Sequence, residues 1–234
     1  MAIKKGRYSS KRVRNKIGKK GKRKYSKKQK KKVNISKLKA VIGVKDRNID
    51  AKGVLRIPEG TEIIEYSQYQ DDKTINSVIF HELLYGIDSY AFSNCTNITG
   101  KLTLPESVFS IGTGAFANCI GFSGDLVLPS NLTMIAEDTF AGCNGFNGDL
   151  KLPKGIIAIK SGAFSGCSGF TGELLLPEEI KYIGLGAFED CKGFNGDLII
   201  PKDIEYIEMY AFHNCTGFKG KLVLPPPPTR RATA

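Results

Sequence analysis

The chain has 234 residues, 41% of them hydrophobic, which is enough for one sizeable core or a smaller core with tails. Its formal charge of +12 is segregated: residues 1–32 hold 17 Lys or Arg and no acid, leaving 18 basic and 23 acidic residues, net −5, in residues 33–234. No stretch approaches the roughly 18 consecutive apolar residues of a membrane helix, so no helical span is expected.

Residues 1–32, MAIKKGRYSSKRVRNKIGKKGKRKYSKKQKKK, read as a disordered basic arm, because dense like charge with few apolar residues does not fold alone. The arm lacks the apolar run of a secretory signal and the apolar face of a mitochondrial transit peptide, so an intracellular, cytoplasmic or nuclear or particle-associated protein is expected. Blocks of Lys and Arg with Tyr8 and Tyr25 between them suit phosphates, with occasional stacking on bases. The candidate polyanion contacts are Lys19, Lys20, Lys22, Arg23, Lys24, Lys27, Lys28, Lys30, Lys31 and Lys32, in a run that also resembles a nuclear-localisation signal. Nothing folded presents these side chains to a groove, so binding to nucleic acid or another polyanion is expected to ignore sequence. The blander alternative is a solubilising tail.

Residues 33–77 read as an N-terminal cap and a degenerate repeat. Leu55-Arg56-Ile57-Pro58 opens a unit that carries Ile63 and Ile64 but Asp72 near the place of a later Cys. From Val78 to Leu224 the chain repeats every 24 residues, entering with His81 where later units have Pro. Cys recurs at 95, 119, 143, 167, 191 and 215, Phe at 92, 116, 140, 164, 188 and 212, and Ile at 87, 111, 135, 159, 183 and 207. A fixed period of this size means stacked units, each burying the apolar edge that its neighbour exposes. Within one unit, Leu126-x-Leu128-Pro129 alternates with period two and reads as a short strand ended by the proline. A second apolar pair, Leu132 and Ile135, follows, and then a Phe–Cys cluster suited to one helical or 3₁₀ turn. The two glycines of Gly-Phe-x-Gly-Asp are expected to supply the backbone freedom for the turn back.

The unit L-x-L-P-x-x-I-x-x-I-x-x-x-A-F-x-x-C-x-x-F resembles the BspA-like, or Treponema-type, leucine-rich repeat over roughly residues 78–224. The resemblance implies a right-handed leucine-rich-repeat solenoid, mainly β with irregular structure, with short strands lining one side and short helical or 3₁₀ turns. It also implies binding to proteins or surfaces, and many members of the family are secreted or surface adhesins.

The middle position of each strand carries Thr103, Val127, Lys151, Leu175, Ile199 and Val223, mostly apolar or β-branched, and these form the candidate protein-binding face. Asp125, Asp149, Glu173 and Asp197 form an acidic file at one repeat position, which turn chemistry explains better than a bound cation does. The cysteines are expected to be buried free thiols, since equivalent residues of a stack point in parallel beside a core Phe. His81 and His213 occupy unrelated repeat positions, and Gly-Thr-Gly-Ala-Phe-Ala from Gly112 belongs to the repeat and is no dinucleotide fingerprint. No nucleophile–base pair, carboxylate pair or metal-ligand set stands out, so neither an enzyme nor a cofactor is expected.

Residues 225–234 read as a Pro-rich tail that blocks strand addition, with a weak SH3-ligand form at Pro225–Arg230. The leading reading is an intracellular scaffold whose solenoid holds a protein and whose arm holds a polyanion. The alternatives are a surface adhesin whose export region is missing from this chain and a structural particle or chromatin component.

Overall fold

The computed structural model describes residues 48–226. The arm at residues 1–32 and most of the tail therefore lie outside the described residues. Within 48–226 the chain is a parallel β-solenoid whose turns advance by 24 residues, after a first step of 23, and no segment there is helical. Each turn contributes to two strand ladders. The first comprises β1 (Val54–Arg56), β3 (Ser77–Ile79), β6 (Leu126–Val127), β8 (Leu150–Lys151), β11 (Leu198–Ile199) and β13 (Leu222–Val223). The second comprises β2 (Ile63–Ile64), β4 (Gly86–Ile87), β5 (Ser110–Ile111), β7 (Met134–Ile135), β9 (Ala158–Ile159), β10 (Tyr182–Ile183) and β12 (Tyr206–Ile207).

The second ladder corrects the expectation of strands along one side only. It is also the more continuous of the two, holding one sheet of three strands and one of four, whereas the first ladder breaks into three pairs. Its signal in sequence is short, because only the Ile of each pair points inward and the residue before it varies from Ile63 to Gly86, Ser110 and Met134.

The Phe–Cys segment is likewise not a helical or 3₁₀ turn. Odd and even N–H groups go to different partners: Ala91, Ser93 and Cys95 donate to carbonyls three residues back, while Tyr90, Phe92 and Asn94 donate across to Thr113, Ala115 and Ala117 of the next turn. The alternation requires left-handed backbone twice per turn, and it occurs at Tyr90 (φ 58°), Gly114 (59°) and Asp138 (51°), then at Asn94 (60°), Asn118 (59°) and Gly142 (72°). Any residue with positive φ breaks a helix, and Gly, Asn and Asp are the types that reach this region at least cost. The recurrence of those three types at two offsets is the sequence signal for this conformation.

Parallel stacking dictates the core. The rings of Phe92, Phe116, Phe140, Phe164, Phe188 and Phe212 stack in one file at 5.3–5.6 Å between centroids, within 10° of parallel. The backbones repeat at about 4.8 Å, so like rings slide sideways into the offset geometry that aromatic pairs prefer. A second file runs Phe122, Phe146, Phe170, Phe194, Phe218 and meets the first edge-on, as at Phe164–Phe170 (6.5 Å, 72°).

The first glycine of Gly-Phe-x-Gly-Asp serves close approach rather than backbone freedom. A Cβ at Gly169 would lie 2.2 Å from the Phe146 carbonyl oxygen, and at Gly193 2.0 Å from that of Phe170, and neither glycine has a positive φ. Asn97 occupies this position in the first regular turn, where the preceding unit is degenerate, and its side-chain amide donates instead to the Lys73 carbonyl at 2.7 Å.

Two stability outcomes follow from this packing. Phe164→Ala, at a fully buried ring with stacked neighbours on both sides, is expected to cost about 3–5 kcal/mol in urea unfolding. Phe212→Ala, at a partly buried ring stacked on one side, costs distinctly less. Gly169→Ala costs about 1–3 kcal/mol, as overpacking against an immobile carbonyl; an unchanged midpoint would show that the turns are not in contact there.

Candidate protein-interaction face

Strand alternation puts the middle residue of each first-ladder unit outward. Thr103, Val127, Lys151, Leu175, Ile199 and Val223 are all exposed, with register pairs Thr103–Val127, Val127–Lys151 and Ile199–Val223. Leu175 is 66% and Ile199 52% exposed. Ile79 joins the file through its pairing with Arg56 in β1 and β3. Sequence reading missed Ile79 because it lies in the entry unit that carries His81 in place of proline. There His81 Nδ1 accepts the Leu83 N–H at 3.2 Å. Lys151 interrupts the apolar strip, but its ammonium is tied to Asp125 of the preceding turn at 2.8 Å.

The ladder is broken at Leu102–Leu104, where only a Thr103–Val127 bridge remains, and at Leu174–Leu176, which forms no strand although the turns on either side do. Leu152 and Leu176 are correspondingly only partly buried, while the equivalent Leu128 is buried.

The second ladder also presents apolar groups that sequence reading missed. Phe109 stacks on Tyr85 (5.5 Å, 7°), Met134 and Ile157 are exposed, and Lys160 sits over the Tyr182 ring at 4.7 Å. These groups form no uniform file, since Tyr85 donates to Glu62 and Tyr182 to Glu208, both at 2.6 Å.

In the acidic file, carboxylates hold the next turn. Asp125 Oδ1 accepts the Asp149 N–H at 2.9 Å and Asp197 Oδ1 accepts the Lys221 N–H at 2.7 Å. The Lys151 ammonium, with the Asp149 N–H second, lowers the Asp125 pKa. His213 is exposed and pairs with Glu189 at 3.0 Å. The candidate polyanion residues Lys19 to Lys32 lie outside the described residues.

The family model described as BspA type leucine rich repeat region matches residues 53–148 and 147–225, in six copies. The chain belongs to this family. Among solved structures it is similar to the T. pallidum Leucine Rich Repeat protein, at 21% identity and TM-score 0.48, covering 74% of this chain and 70% of that one. It is also similar to a leucine rich cell surface protein from Faecalibacterium prausnitzii (16% identity, TM-score 0.40, 73% of this chain and 59% of that one). A leucine-rich repeat protein from Bacteroides ovatus matches at 20% identity and TM-score 0.43, over 64% of this chain and 52% of that one. The chain thus spans less than two thirds of the latter two. No curated protein matches it. This BspA-type solenoid is a scaffold suited to protein interaction, and no helix among the described residues is long and apolar enough to cross a membrane.

The cysteines of the BspA-type repeat serve the stack. Each thiol donates to a carbonyl of the preceding turn: Cys119 to Phe92, Cys143 to Phe116, Cys167 to Phe140 and Cys191 to Phe164, at 3.0–3.1 Å. Burial pushes the Cys143 thiol up to about 12 and those of Cys95 and Cys215 to about 11, from an ordinary 9.0. Folded thiols therefore keep their protons to higher pH than unfolded ones. Their contribution is complete below pH 9 and falls between pH 9 and about 12. The urea midpoint is expected to drop between pH 8 and pH 10.5, and to drop less in Cys143→Ala; an equal drop in both would show that the Cys143 thiol does not contribute to it.

Proposed function

We propose that this chain is a non-enzymatic interaction scaffold in which the outward file of the first ladder holds a protein partner and the basic arm holds nucleic acid or a similar polyanion. The observation that carries the first half is the run of exposed aliphatic side chains Ile79, Val127, Leu175, Ile199 and Val223 on a hydrogen-bonded frame. Such a strip is preordered, so a partner binding there gains apolar contact at little entropic cost on the scaffold side. The second half is supported by the 17 positive charges without an acid in residues 1–32. Their composition also supports an intracellular site of action.

Capture from native extract tests the face. The double variant Leu175→Asp, Ile199→Asp is expected to lose at least about tenfold of a captured partner, as charge placed in an interface core does. Its thermal transition should stay near that of the parent, because both side chains are exposed. Undiminished capture by a folded double variant would rule the face out.

A salt titration tests the arm. If about eight charges meet phosphates, log K falls with log salt at a slope near −7, so raising salt from about 50 to 200 mM weakens duplex DNA binding roughly 10⁴-fold. Replacing Lys19, Lys20, Lys22, Arg23, Lys24, Lys27, Lys28, Lys30, Lys31 and Lys32 by Gln should weaken the binding strongly and flatten the salt slope, with seven of the 17 basic residues left. Unaltered affinity would place it elsewhere, and equal preference for heparin would remove the claim to nucleic acid.

A further inference from the structure

The break at Leu174–Leu176 turns a flat strip into relief. Leu175 stands as a ridge between two grooves, one of about 430 Å³ bordered by Leu150 and Leu152 and one of about 210 Å³ bordered by Ile199 and Pro201. A third hollow, of about 400 Å³, continues the first past Pro177.

The rims of these hollows are acidic at both ends of the strand direction. Asp149, Glu173 and Asp197 lie where the strands begin, and Glu178 and Glu179 lie just beyond the proline. Among the described residues no cation lies within ion-pairing distance of Glu173, Glu178 or Glu179. Of the two lysines present, Lys151 is committed to Asp125, and Lys154 borders the third hollow beside Glu178 and Glu179, where two carboxylates outnumber one ammonium. The acids are exposed and solvated, so the arrangement is tolerable without a ligand, yet it leaves an apolar floor between two negative ends.

We propose, resting on the interaction face described above, that these grooves take an extended peptide segment of a partner protein with aliphatic residues in its middle and Lys or Arg at both ends. The charge pattern selects the occupant: an acidic or neutral segment gains the same apolar contact but meets repulsion or nothing at the rims. The five-residue separation of Glu173 and Glu178 corresponds to roughly 16 Å of extended chain, which sets the spacing of the two cationic ends.

The test uses the full chain and fluorescence anisotropy with three synthetic nine-residue peptides capped at both termini. One has lysine at its second and seventh positions and leucine at its third, fifth and sixth, with uncharged residues elsewhere, the second has glutamate in place of both lysines, and the third keeps the lysines but replaces leucine by serine. The lysine–leucine peptide should bind most tightly. Glu173→Gln, Glu178→Gln, Glu179→Gln together should weaken it about tenfold, as loss of several exposed charge contacts does. Leu175→Ser should weaken it without affecting the thermal transition.

Binding unaltered by the triple variant would overturn the proposal while leaving the interaction face standing. Indifference to both Leu175→Ser and the double Asp variant would remove the face itself. Lysine-peptide binding that appears only after heparin is added would assign the grooves to the chain's own basic residues and overturn the assignment to a partner.

Discussion

The distance between one turn and the next governs this molecule. At Gly169 and Gly193 the backbone passes so close to the carbonyl of the preceding turn that a Cβ does not fit, and every second N–H of the Phe–Cys segment reaches across the same gap. Once that spacing is imposed, like residues must lie above like residues. Phe rings then have to offset, thiols find carbonyls of the preceding turn, and Asp125 and Asp197 find backbone N–H groups of the following one. The 24-residue period is the chain length that closes one turn with all of these contacts in register.

A frame built this way separates stability from recognition. Inward positions are set by stacking and vary little from turn to turn, whereas outward positions of both ladders take no part in the core and are free to differ. The first ladder uses that freedom for an aliphatic strip, and the second for Tyr85–Phe109 stacking and Lys160–Tyr182 contact. Where the first ladder loses its pairing at Leu174–Leu176, the strip gains relief, and the carboxylates of Glu173, Glu178 and Glu179, without an ion pair among the described residues, give that relief a sign.

Much of this was legible in the sequence because stacking repeats its own signal. The period, the core Phe and Cys files, the first strand and its outward residues all recur at fixed spacing, so six weak indications add into one strong one. The second ladder was not legible, since two-residue strands with one inward Ile leave no alternation to detect. The Phe–Cys segment misled because small residues beside Phe and Cys resemble a tight helical turn. The positive φ values at Tyr90 and Asn94 declare themselves only through the Gly, Asn and Asp found at the same offsets in later turns. The relief around Leu175 depends on an absent pairing, and Leu174-Leu175-Leu176-Pro177 keeps the same Leu-x-Leu-Pro pattern as Leu126-Val127-Leu128-Pro129, which does form a strand. Its grooves were therefore visible only in three dimensions.

If register between equivalent turns is what holds the protein together, removing one whole turn should be tolerated and removing half of one should not. Deleting residues 140–163 joins Thr139 to Phe164 and restores every file, whereas deleting 140–151 sets Thr139 beside Leu152 and breaks them all. Urea unfolding followed by far-ultraviolet circular dichroism decides between these. A cooperative transition at a lower midpoint is expected for the 24-residue deletion, and no cooperative transition for the 12-residue one. Loss of cooperative folding in both, or its retention in both, would contradict this.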